Sequence, residues 1–431
     1  MLYYLDPFGC AKNQVDAENM MAHLNSAGWA SASEAADADL VIVNSCGFIE
    51  SAKQESINAV LGWRKLYPGK KILLAGCLAQ RYAKELSEAL PEADGFFGVE
   101  NISKIVDAVN SLAEPAKARG AELVEAPAAE RPLLSLPGSA YVKISEGCNN
   151  HCTFCAIPLI RGALRCRTIQ DIKNECEGLL ARGIKELCVI GQDIGSYKSG
   201  GAELPELLAA IAELKGDFWV RLLYIHPDHF PLGILDIMEK DPRVLPYFDI
   251  PFQHGSKKIL SAMNRKGDAQ SYLALAETIR KRLQAAVIRT TFLAGFPGET
   301  EDDFAMLLDF QEKLHADWAG CFEYSREEDT PAYSMKGQVS KKTAARRKRE
   351  IEEHQTLITE KNMDRFVGQN LTALFEEQFE DIWLGRLYCH APEVDGAAVI
   401  TGIAPEMKPQ AGDILPCKVI ARRGLDLEVV I

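Results

Sequence analysis

Short apolar runs alternate with amphipathic stretches through the N-terminal part of the chain. Leu40–Asn44 and Lys71–Ala75 have the continuous apolar character of strands that are buried on both faces of a parallel sheet. Each run is followed by a stretch with helical periodicity, over Ser51–Leu66 and Gln80–Leu90. This alternation of strand and helix predicts an N-terminal α/β domain with a parallel sheet.

The composition changes after this region. The segment from Ala113 to Gly138 is rich in alanine, proline and glutamate, and it contains four prolines. Such a composition is typical of a linker between domains. We therefore predict a first domain over residues 1–135 and a second domain over residues 136–367.

The alternation resumes in the second domain, where six strands are predicted. They are Tyr141–Ser145, Glu186–Ile190, Phe218–Tyr224, Tyr247–Pro251, Val287–Ala294 and Gly320–Tyr324. Six successive strand–helix units suit a partial (βα)6 barrel, in which functional groups lie at the carboxyl ends of the strands. The charged pattern over Ser340–Arg365 predicts a further helix with Ser340 as its N-cap.

The pattern changes again after Gly368. Short strand-like runs are separated by turn signals at Asp395-Gly396 and at Gly424. This spacing predicts a small antiparallel β-barrel over residues 368–431. The predicted fold class is therefore α/β, with a parallel-sheet domain, a partial barrel and a C-terminal β-barrel in that order.

The overall composition restricts the function classes. The chain has 431 residues and a formal net charge of −13, which argues against a surface built mainly for polyanions. Its N-terminus lacks the basic and apolar regions of a signal peptide, and its apolar runs are too short to span a membrane. We expect a cytoplasmic protein with no membrane partner, whose twelve cysteines stay reduced and in part bind metal.

Three cysteines lie close together at the start of the second domain. Cys148, Cys152 and Cys155 follow the first predicted barrel strand with C-x₃-C-x₂-C spacing. Most electron-transfer clusters have four cysteine ligands, whereas three thiolates on one loop leave the fourth iron of a cubane cluster open for another group. A zinc site is the alternative, but no second Cys or His pair follows at zinc-finger distance.

Three further cysteines share a position relative to predicted strands. Cys10, Cys46 and Cys77 each lie just beyond an apolar run and just before a helical pattern. Because the carboxyl ends of parallel strands lie on one edge of the sheet, we expect these thiols to converge there. Three buried structural thiols are the alternative. A second cluster with three ligands and one open iron is the favoured interpretation.

The C-x₃-C-x₂-C loop resembles the signature of the radical S-adenosylmethionine (SAM) superfamily. The resemblance implies a 4Fe–4S cluster on Cys148, Cys152 and Cys155, with the amino and carboxylate groups of SAM at the open iron. It also implies reductive cleavage of SAM to a 5′-deoxyadenosyl radical, which needs an external electron donor. Phe154 corresponds to the aromatic residue that this superfamily places against the adenine.

Further motifs resemble the methylthiotransferase family. The runs Gly9-Cys-Ala-Lys-Asn-Gln-Val-Asp16, Val43-Asn-Ser-Cys-Gly-Phe-Ile-Glu50 and Gly76-Cys-Leu-Ala-Gln-Arg81 are similar to its N-terminal domain, and the residues from Gly368 are similar to its TRAM domain. Within the family, the first two runs and Gly385–Gly396 are closer to the ribosomal-protein branch than to the tRNA-adenosine branch.

This resemblance implies the cofactors and the substrate. The cofactors are two 4Fe–4S clusters and SAM, with the second cluster on Cys10, Cys46 and Cys77 holding the sulfur. The reaction adds a methylthio group to the β-carbon of an aspartate in the twelfth protein of the small ribosomal subunit, either free or assembled. Hydrogen-atom abstraction suits this carbon, because it carries no acidic proton beside an ionised carboxylate.

Other residues are weaker candidates for contacts with SAM. Five polar residues fall at the ends of predicted barrel strands, namely Gln192, its neighbour Asp193, Arg221, Gln253 and Thr291. Phe322 and Tyr324 are placed to line the adenine side of the same pocket. The glycines of Gly295–Thr300 allow close approach to the nucleoside. Packing, capping and turn formation are the alternatives for all of these residues.

Three function classes are consistent with these features of the sequence. The first is methylthiotransfer to a basic ribosomal protein, the second is methylthiotransfer to a tRNA adenosine, and the third is a non-catalytic iron–sulfur carrier or RNA-binding module. The predicted C-terminal barrel has five Lys/Arg and ten Asp/Glu, so its formal charge is −5, whereas phosphate binding requires positive charge. An acidic surface favours a basic protein over tRNA. The acidic candidates for this contact are Glu376, Glu377, Glu380, Asp381, Glu393 and Asp395.

Overall fold

The first domain is a parallel sheet covered by helices on both faces. The computed structural model describes residues 1–112, 130–404 and 406–431. Most of the predicted linker, residues 113–129, therefore lies outside the described residues. The elements of the first domain are β1 Leu2–Pro7, α1 Ala11–Ser26, β2 Ala30–Ser31, β3 Leu40–Ser45, α2 Glu50–Leu66, β4 Lys71–Gly76, α3 Cys77–Ala89, β5 Gly95–Phe97 and α4 Ile105–Leu112.

The strand order in this sheet is β2-β1-β3-β4-β5, and neighbouring strands are parallel. The central strand β3 is buried along its whole length, which explains its continuous apolar sequence. Apolar residues of α1 and α4 pack on one face of the sheet, and those of α2 and α3 pack on the other. The parallel arrangement places the ends of β1, β3 and β4 on the same edge.

The second domain contains an open barrel of parallel strands. Its elements are β6 Ser139–Lys143, β7 Ser145–Glu146, α5 Ile157–Arg161, β8 Arg165–Cys166, α6 Ile169–Ala181, β9 Glu186–Ile190, β10 Lys198–Ser199, β11 Ala202–Glu203, α7 Leu204–Ala212, β12 Trp219–Leu222, α8 Gly233–Lys240, β13 Val244–Asp249, α9 Lys257–Ala262, α10 Ala269–Arg282, β14 Val287–Ala294, α11 Glu301–Leu314, β15 Trp318–Glu323 and α12 Lys341–Met363.

The six long strands form one sheet in the order β6-β9-β12-β13-β14-β15, with parallel pairing throughout. Alternate residues of each strand face the surrounding helices and form the largest apolar core, which includes Val189, Val220 and Ile288. The other residues face the concave side of the sheet. The predicted partial (βα)6 barrel is therefore confirmed.

The third domain is a closed five-stranded barrel. Its strands are β16 Asn370–Phe379, β17 Ile382–Arg386, β18 Ala398–Thr401, β19 Ile414–Arg423 and β20 Asp426–Val430. Neighbouring strands pair antiparallel except for β18 and β20, which are parallel. Apolar residues of this barrel share one core with Tyr141, Trp219 and Tyr247 from the concave side of the central sheet.

The ends of several elements agree with the sequence pattern. The predicted bounds of β9 and β14 match the structure, and α12 begins after Ser340, whose Oγ accepts a hydrogen bond of 3.1 Å from the Thr343 amide. The other four predicted barrel strands differ from the structure by one to three residues at both ends. In the described part of the chain, every helix is too short or too polar to cross a lipid bilayer.

Candidate active site

The cysteines of the first domain meet at one edge of its sheet. Cys10 is the N-cap of α1, Cys46 follows β3, and Cys77 is the first residue of α3. A Cβ added at Gly9 would lie 3.2 Å from the Cβ of Cys46, and a Cβ added at Gly47 would lie 2.8 Å from the Cys77 carbonyl oxygen. The two glycines therefore allow the three cysteine-bearing loops to come together, as predicted.

The amide of Asn13 holds these loops in position. Its Nδ2 donates hydrogen bonds of 2.6 Å to the Phe8 carbonyl and 3.1 Å to the Ser45 carbonyl. Its Oδ1 lies 3.5 Å from the Sγ of Cys77. The first turn of α1 thus ties the loops after β1 and β3 to the first turn of α3.

The three thiols differ in their electrostatic surroundings. Burial alone would raise the pKa of Cys10, but the charges of Lys12 and Arg161 outweigh it and lower that pKa. Burial raises the pKa of Cys46, and it raises the pKa of Cys77 to about 12 in spite of Arg161. The Nη2 of Arg161 lies 3.1 Å from the Sγ of Cys77, so it would stabilise a thiolate or a metal-bound sulfur there.

The second set of cysteines lies on the loop after β7. Backbone hydrogen bonds shape this loop, from the Cys148 amide to the Gly162 carbonyl at 3.1 Å and from the Cys155 amide to the Cys152 carbonyl at 3.0 Å. The Oγ1 of Thr153 donates a hydrogen bond of 2.8 Å to the Ala262 carbonyl. The loop is therefore anchored both to its own base and to the end of α9.

Two residues contact this loop, namely Asp193, which was a weak candidate from the sequence, and His226, which was not a candidate. Asp193 follows β9 and accepts a hydrogen bond of 2.8 Å from the amide of Asn150 within the cysteine loop. Burial alone would raise the pKa of Asp193, but hydrogen bonds from His229 and Ser196 hold it at about 2. His226, which the sequence did not single out, has its Nε2 3.9 Å from the Sγ of Cys152.

The part of the pocket that is predicted to face the adenine contains an apolar cluster. Phe154 and Tyr324 pack in the same cluster, together with Met263, Leu293 and Phe296. The rings of Phe296 and Tyr324 meet edge to face with centroids 5.5 Å apart. Phe154 and Tyr324, which are 170 residues apart in the sequence, are therefore brought together beside the loop of Cys152 and Cys155.

Gln253 and Thr291 are neighbours in the structure. The Gln253 amide donates a hydrogen bond of 2.9 Å to the Thr291 carbonyl, and the Gln253 carbonyl accepts one of 2.9 Å from Leu293. Gln253 has a φ of 72°, so its side chain leaves the backbone in a direction that ordinary strand geometry does not allow. Gln192 lies half-buried after β9, and Phe322 is exposed at the end of β15.

Arg221 has a different place from the one expected. It is fully buried, its Nε donates to Glu186 at 2.7 Å, and its Nη1 donates to the Tyr388 carbonyl at 2.8 Å. Arg386 of the C-terminal barrel also pairs with Glu186, at 2.5 Å. We therefore assign Arg221 to the contact between the second and third domains instead of to the SAM site.

Two other expectations are corrected by the structure. A Cβ at Gly295 would lie 2.5 Å from the Cβ of Ala344, so this glycine permits close packing of α12.

Glu376 is buried and pairs with Arg386 at 2.7 Å, and the Asp395 carboxylate is buried against Tyr247 and Arg289. These two acidic residues stabilise the domain contact, and their burial makes them unavailable to a partner. The expectation was wrong because a linear sequence does not show ion pairs between residues that are far apart in it.

An ion-pair network connects the two cysteine sets. Arg161 lies at the end of α5, six residues after Cys155, and pairs with Asp16 of α1 at 2.8 Å and with Glu146 of β7 at 2.9 Å. Lys143 also pairs with both carboxylates. The loop of Cys148, Cys152 and Cys155 and the first-domain edge are thereby held against each other by ion pairs.

In comparison with known proteins, each of the three regions of the chain matches a family or domain. Residues 2–98 match the uncharacterized protein family UPF0004, residues 142–310 match the radical SAM superfamily, and residues 367–431 match the TRAM domain. A Treponema denticola protein is called ribosomal protein uS12 methylthiotransferase RimO. It is 47% identical to this chain over an alignment 472 residues long, which covers 99% of this chain and 100% of that protein. The chain belongs to the RimO family of methylthiotransferases.

Other members of the RimO family show the same full-length similarity. Proteins of that name from Syntrophomonas wolfei and Aquifex aeolicus are 40% and 39% identical, and the match covers 97% of this chain in both cases and 97% and 94% of those proteins. The radical SAM methyltransferase TsrM from Kitasatospora setae has the same fold at 15% identity, with a TM-score of 0.55 over 77% of this chain and 76% of that one.

The residues fit the cofactors that the RimO family implies, namely two 4Fe–4S clusters and SAM. Each cysteine set supplies three sulfur donors of the type that such clusters require. Within the described ranges, no three Cys, His, Asp or Glu side chains come close enough to share a single metal ion. A cubane cluster does not require such a group, because each thiol binds a different iron.

Proposed function

We propose that this chain is a radical-SAM methylthiotransferase that adds a methylthio group to the β-carbon of an aspartate in ribosomal protein uS12. It would act in the cytoplasm with an external reductant. The observation that carries this proposal is the pair of three-thiol sites, held together by Arg161 through Cys77, Asp16 and Glu146. An electron carrier would need neither two incomplete ligand sets nor a direct connection between them.

The two sites have different roles in this proposal. Cys148, Cys152 and Cys155 would hold the cluster that binds SAM, and Cys10, Cys46 and Cys77 would hold the cluster that carries the sulfur. When bound, these groups supply radical generation from SAM and the sulfur that is transferred.

The protein itself positions the reactants. Phe154 and Tyr324 provide an apolar surface for the adenine, while Gln192, Gln253, Thr291 and Phe322 remain proposed neighbours of SAM around the barrel mouth. Asp193 keeps the cysteine loop in place through Asn150.

Mass spectrometry of uS12 tests the function directly. Cells that lack this chain should have unmodified uS12, and the wild-type gene should restore one methylthio group on an aspartate. Cys152→Ala and Cys46→Ala should both fail to restore it. Cys166→Ala is the matched control, since Cys166 is half-buried like Cys152 but belongs to neither set.

Two outcomes would contradict the proposal. One is unmodified uS12 in cells with the wild-type gene. The other is a methylthio group on tRNA adenosine in those cells, detected by nucleoside analysis, which would identify the alternative substrate class. The acidic character of the third domain supports the protein substrate.

Iron content and SAM cleavage separate the two sites. The reconstituted protein should bind about eight irons, and alanine at Cys148, Cys152 and Cys155 should halve that number and abolish 5′-deoxyadenosine formation. Alanine at Cys10, Cys46 and Cys77 should also halve the iron content but leave 5′-deoxyadenosine formation intact. Loss of SAM cleavage in this second variant, with the other cluster fully loaded, would mean that the roles are misassigned.

A further inference from the structure

Lys12 is a buried cation that is paired with no carboxylate in the described part of the chain, although its charge also acts on the nearby Cys10 thiol. Only 6% of its surface is exposed, yet its ammonium forms no hydrogen bond or ion pair with any residue that the structure describes. Several buried arginines behave differently, since Arg131, Arg161 and Arg347 each pair with at least one carboxylate. A buried charge is costly unless it is paired, so an unpaired ammonium at such a position points to an anion that comes from outside the chain.

The position of Lys12 is between the two cysteine sets. It follows Cys10 by two residues, and its Nζ lies 3.2 Å from the centre of the Tyr224 ring. Tyr224 lies just beyond β12 and two residues before His226, whose ring contacts Cys152. The ammonium therefore occupies the space that connects the edge of the first domain to the mouth of the barrel.

The residues around the ammonium fix it in place without neutralising it. Tyr224 has a φ of 70°, an uncommon conformation for a tyrosine, and its amide donates a hydrogen bond of 3.2 Å to Asp249. Asp249 is also bonded to Arg289 at 3.4 Å. The carboxylate of Asp249 is thus already engaged, and the aromatic face of Tyr224 attracts the cation but leaves its N–H donors free.

The proposed substrate carries an anion at the required place. In aspartate the carboxylate is bonded directly to the β-carbon, so a β-carbon that reacts between the two sites brings its carboxylate into the same space. We propose that Lys12 binds the side-chain carboxylate of the substrate aspartate and selects it over neutral side chains. This inference rests on the proposed function. An adenosine substrate would offer this ammonium no carboxylate.

Binding to two forms of uS12 tests the inference. The enzyme is reconstituted with both clusters, and the substrates are uS12 with aspartate at the modified position and uS12 with asparagine there. The variants are Lys12→Met, which removes the charge at similar length, and Lys12→Arg, which keeps it. Lys84→Met is the matched control, because Lys84 is an exposed lysine on α3 of the same domain.

The expected result is a change in selectivity. The wild-type enzyme, Lys12→Arg and Lys84→Met should bind the aspartate form roughly tenfold to a hundredfold more tightly than the asparagine form, as a charge-assisted hydrogen bond implies. Lys12→Met should bind both forms equally. Its iron content should equal that of the wild-type enzyme, so that the lost selectivity is not due to a lost cluster.

Three results would overturn the inference. They are equal binding of both uS12 forms by the wild-type enzyme, retained selectivity in Lys12→Met, and loss of the first-domain cluster from Lys12→Met, which would mean that the lysine serves the cluster. Failure of the proposed function is a separate observation, since it appears as unmodified uS12 in cells with the wild-type gene. In that case the inference about aspartate fails with it.

Discussion

Arg161 shows how a single side chain can connect two sites that are distant in the sequence. It is buried, it contacts Cys77 of one set, and it belongs to the helix that follows the other set. Its two carboxylate partners, Asp16 and Glu146, come from different domains. The distance between the sites is therefore fixed by charge pairing as well as by apolar packing.

Replacement of Arg161 with methionine should destabilise the protein strongly. The change leaves the buried Asp16 and the half-buried Glu146 with Lys143 as their ion-pair partner in the described part of the chain, so we expect a loss of about 3 kcal/mol in the free energy of unfolding. Denaturant unfolding of the metal-free protein measures this loss. Arg165→Met is the control, because Arg165 is exposed, and it should change stability by less than about 0.5 kcal/mol. Equal stability of the two variants would contradict the role of the network.

At the scale of the elements, the strand ends of the first domain create a site from residues far apart in the sequence. The three loops after β1, β3 and β4 approach closely enough that Gly47 has backbone atoms of Cys77 and Leu78 within 3 Å of where a Cβ would lie. Backbone atoms cannot move aside as a flexible side chain can. The geometry of the cysteine set therefore depends on the absence of a side chain at this position.

Gly47→Ala should lose the first-domain cluster and keep the other. The added methyl group would separate the loops of Cys46 and Cys77, so the iron content of the reconstituted protein should fall from about eight to about four. SAM cleavage should persist. Gly62→Ala in the middle of α2 is the matched control, because nothing lies within 4 Å of its Cβ position, and it should keep all the iron. Full iron content in Gly47→Ala would show that the loops can adjust.

The signals for the main strands and for the two cysteine sets are local in the sequence. The alternation of strand and helix patterns predicted the bounds of β9 and β14, and the repeated position after a strand predicted that Cys10, Cys46 and Cys77 converge. The roles of Arg221 and Glu376 were not predictable in this way. Their partners lie in other strands or in another domain, and a single sequence does not show which buried charges will face each other.

At the scale of the whole molecule, Glu186 connects the open barrel to the C-terminal barrel. It lies at the start of β9 and pairs with Arg221 of the same sheet and with Arg386 of the third domain. Burial alone would raise the pKa of Glu186, but the two guanidinium groups hold it at about 2. The third domain is thus tied into the core, and a truncation after Gly368 would expose that core instead of simply removing a binding surface.

The stability that Glu186 contributes should depend on pH. Its pKa is lower in the folded state than the usual value near 4.3, so the contribution is present above about pH 4.5 and is lost as the pH falls towards 2. At pH 6, Glu186→Gln should be about 3 kcal/mol less stable than the wild-type protein. This difference should shrink at pH 3, as measured by denaturant unfolding. Glu377→Gln, at an exposed site, serves as the control, and a pH-independent difference for Glu186→Gln would contradict the assignment.

Three exposed acids of the third domain lie near the tip of the β16–β17 hairpin, whereas the exposed Glu393 and Glu406 lie outside it. Glu377, Glu380 and Asp381 are exposed there, beside the exposed apolar side chains of Phe379 and Ile382. An acidic and partly apolar projection suits a basic protein partner, because long-range attraction steers association before apolar contacts form. The hairpin tip is therefore the part of the third domain that we expect to contact uS12.

Reversal of these three acids to lysine should weaken recognition without changing the chemistry. The KM for uS12 should rise roughly tenfold at low salt, and the effect should diminish as the salt concentration increases, because screening weakens the attraction. The kcat and the formation of 5′-deoxyadenosine without substrate should remain unchanged. Reversal of the exposed acids Glu85, Glu88 and Asp107 in the first domain changes the net charge equally and should leave the KM unaffected. A similar rise in KM for both triple variants would show that the total charge, and not the hairpin tip, governs association with uS12.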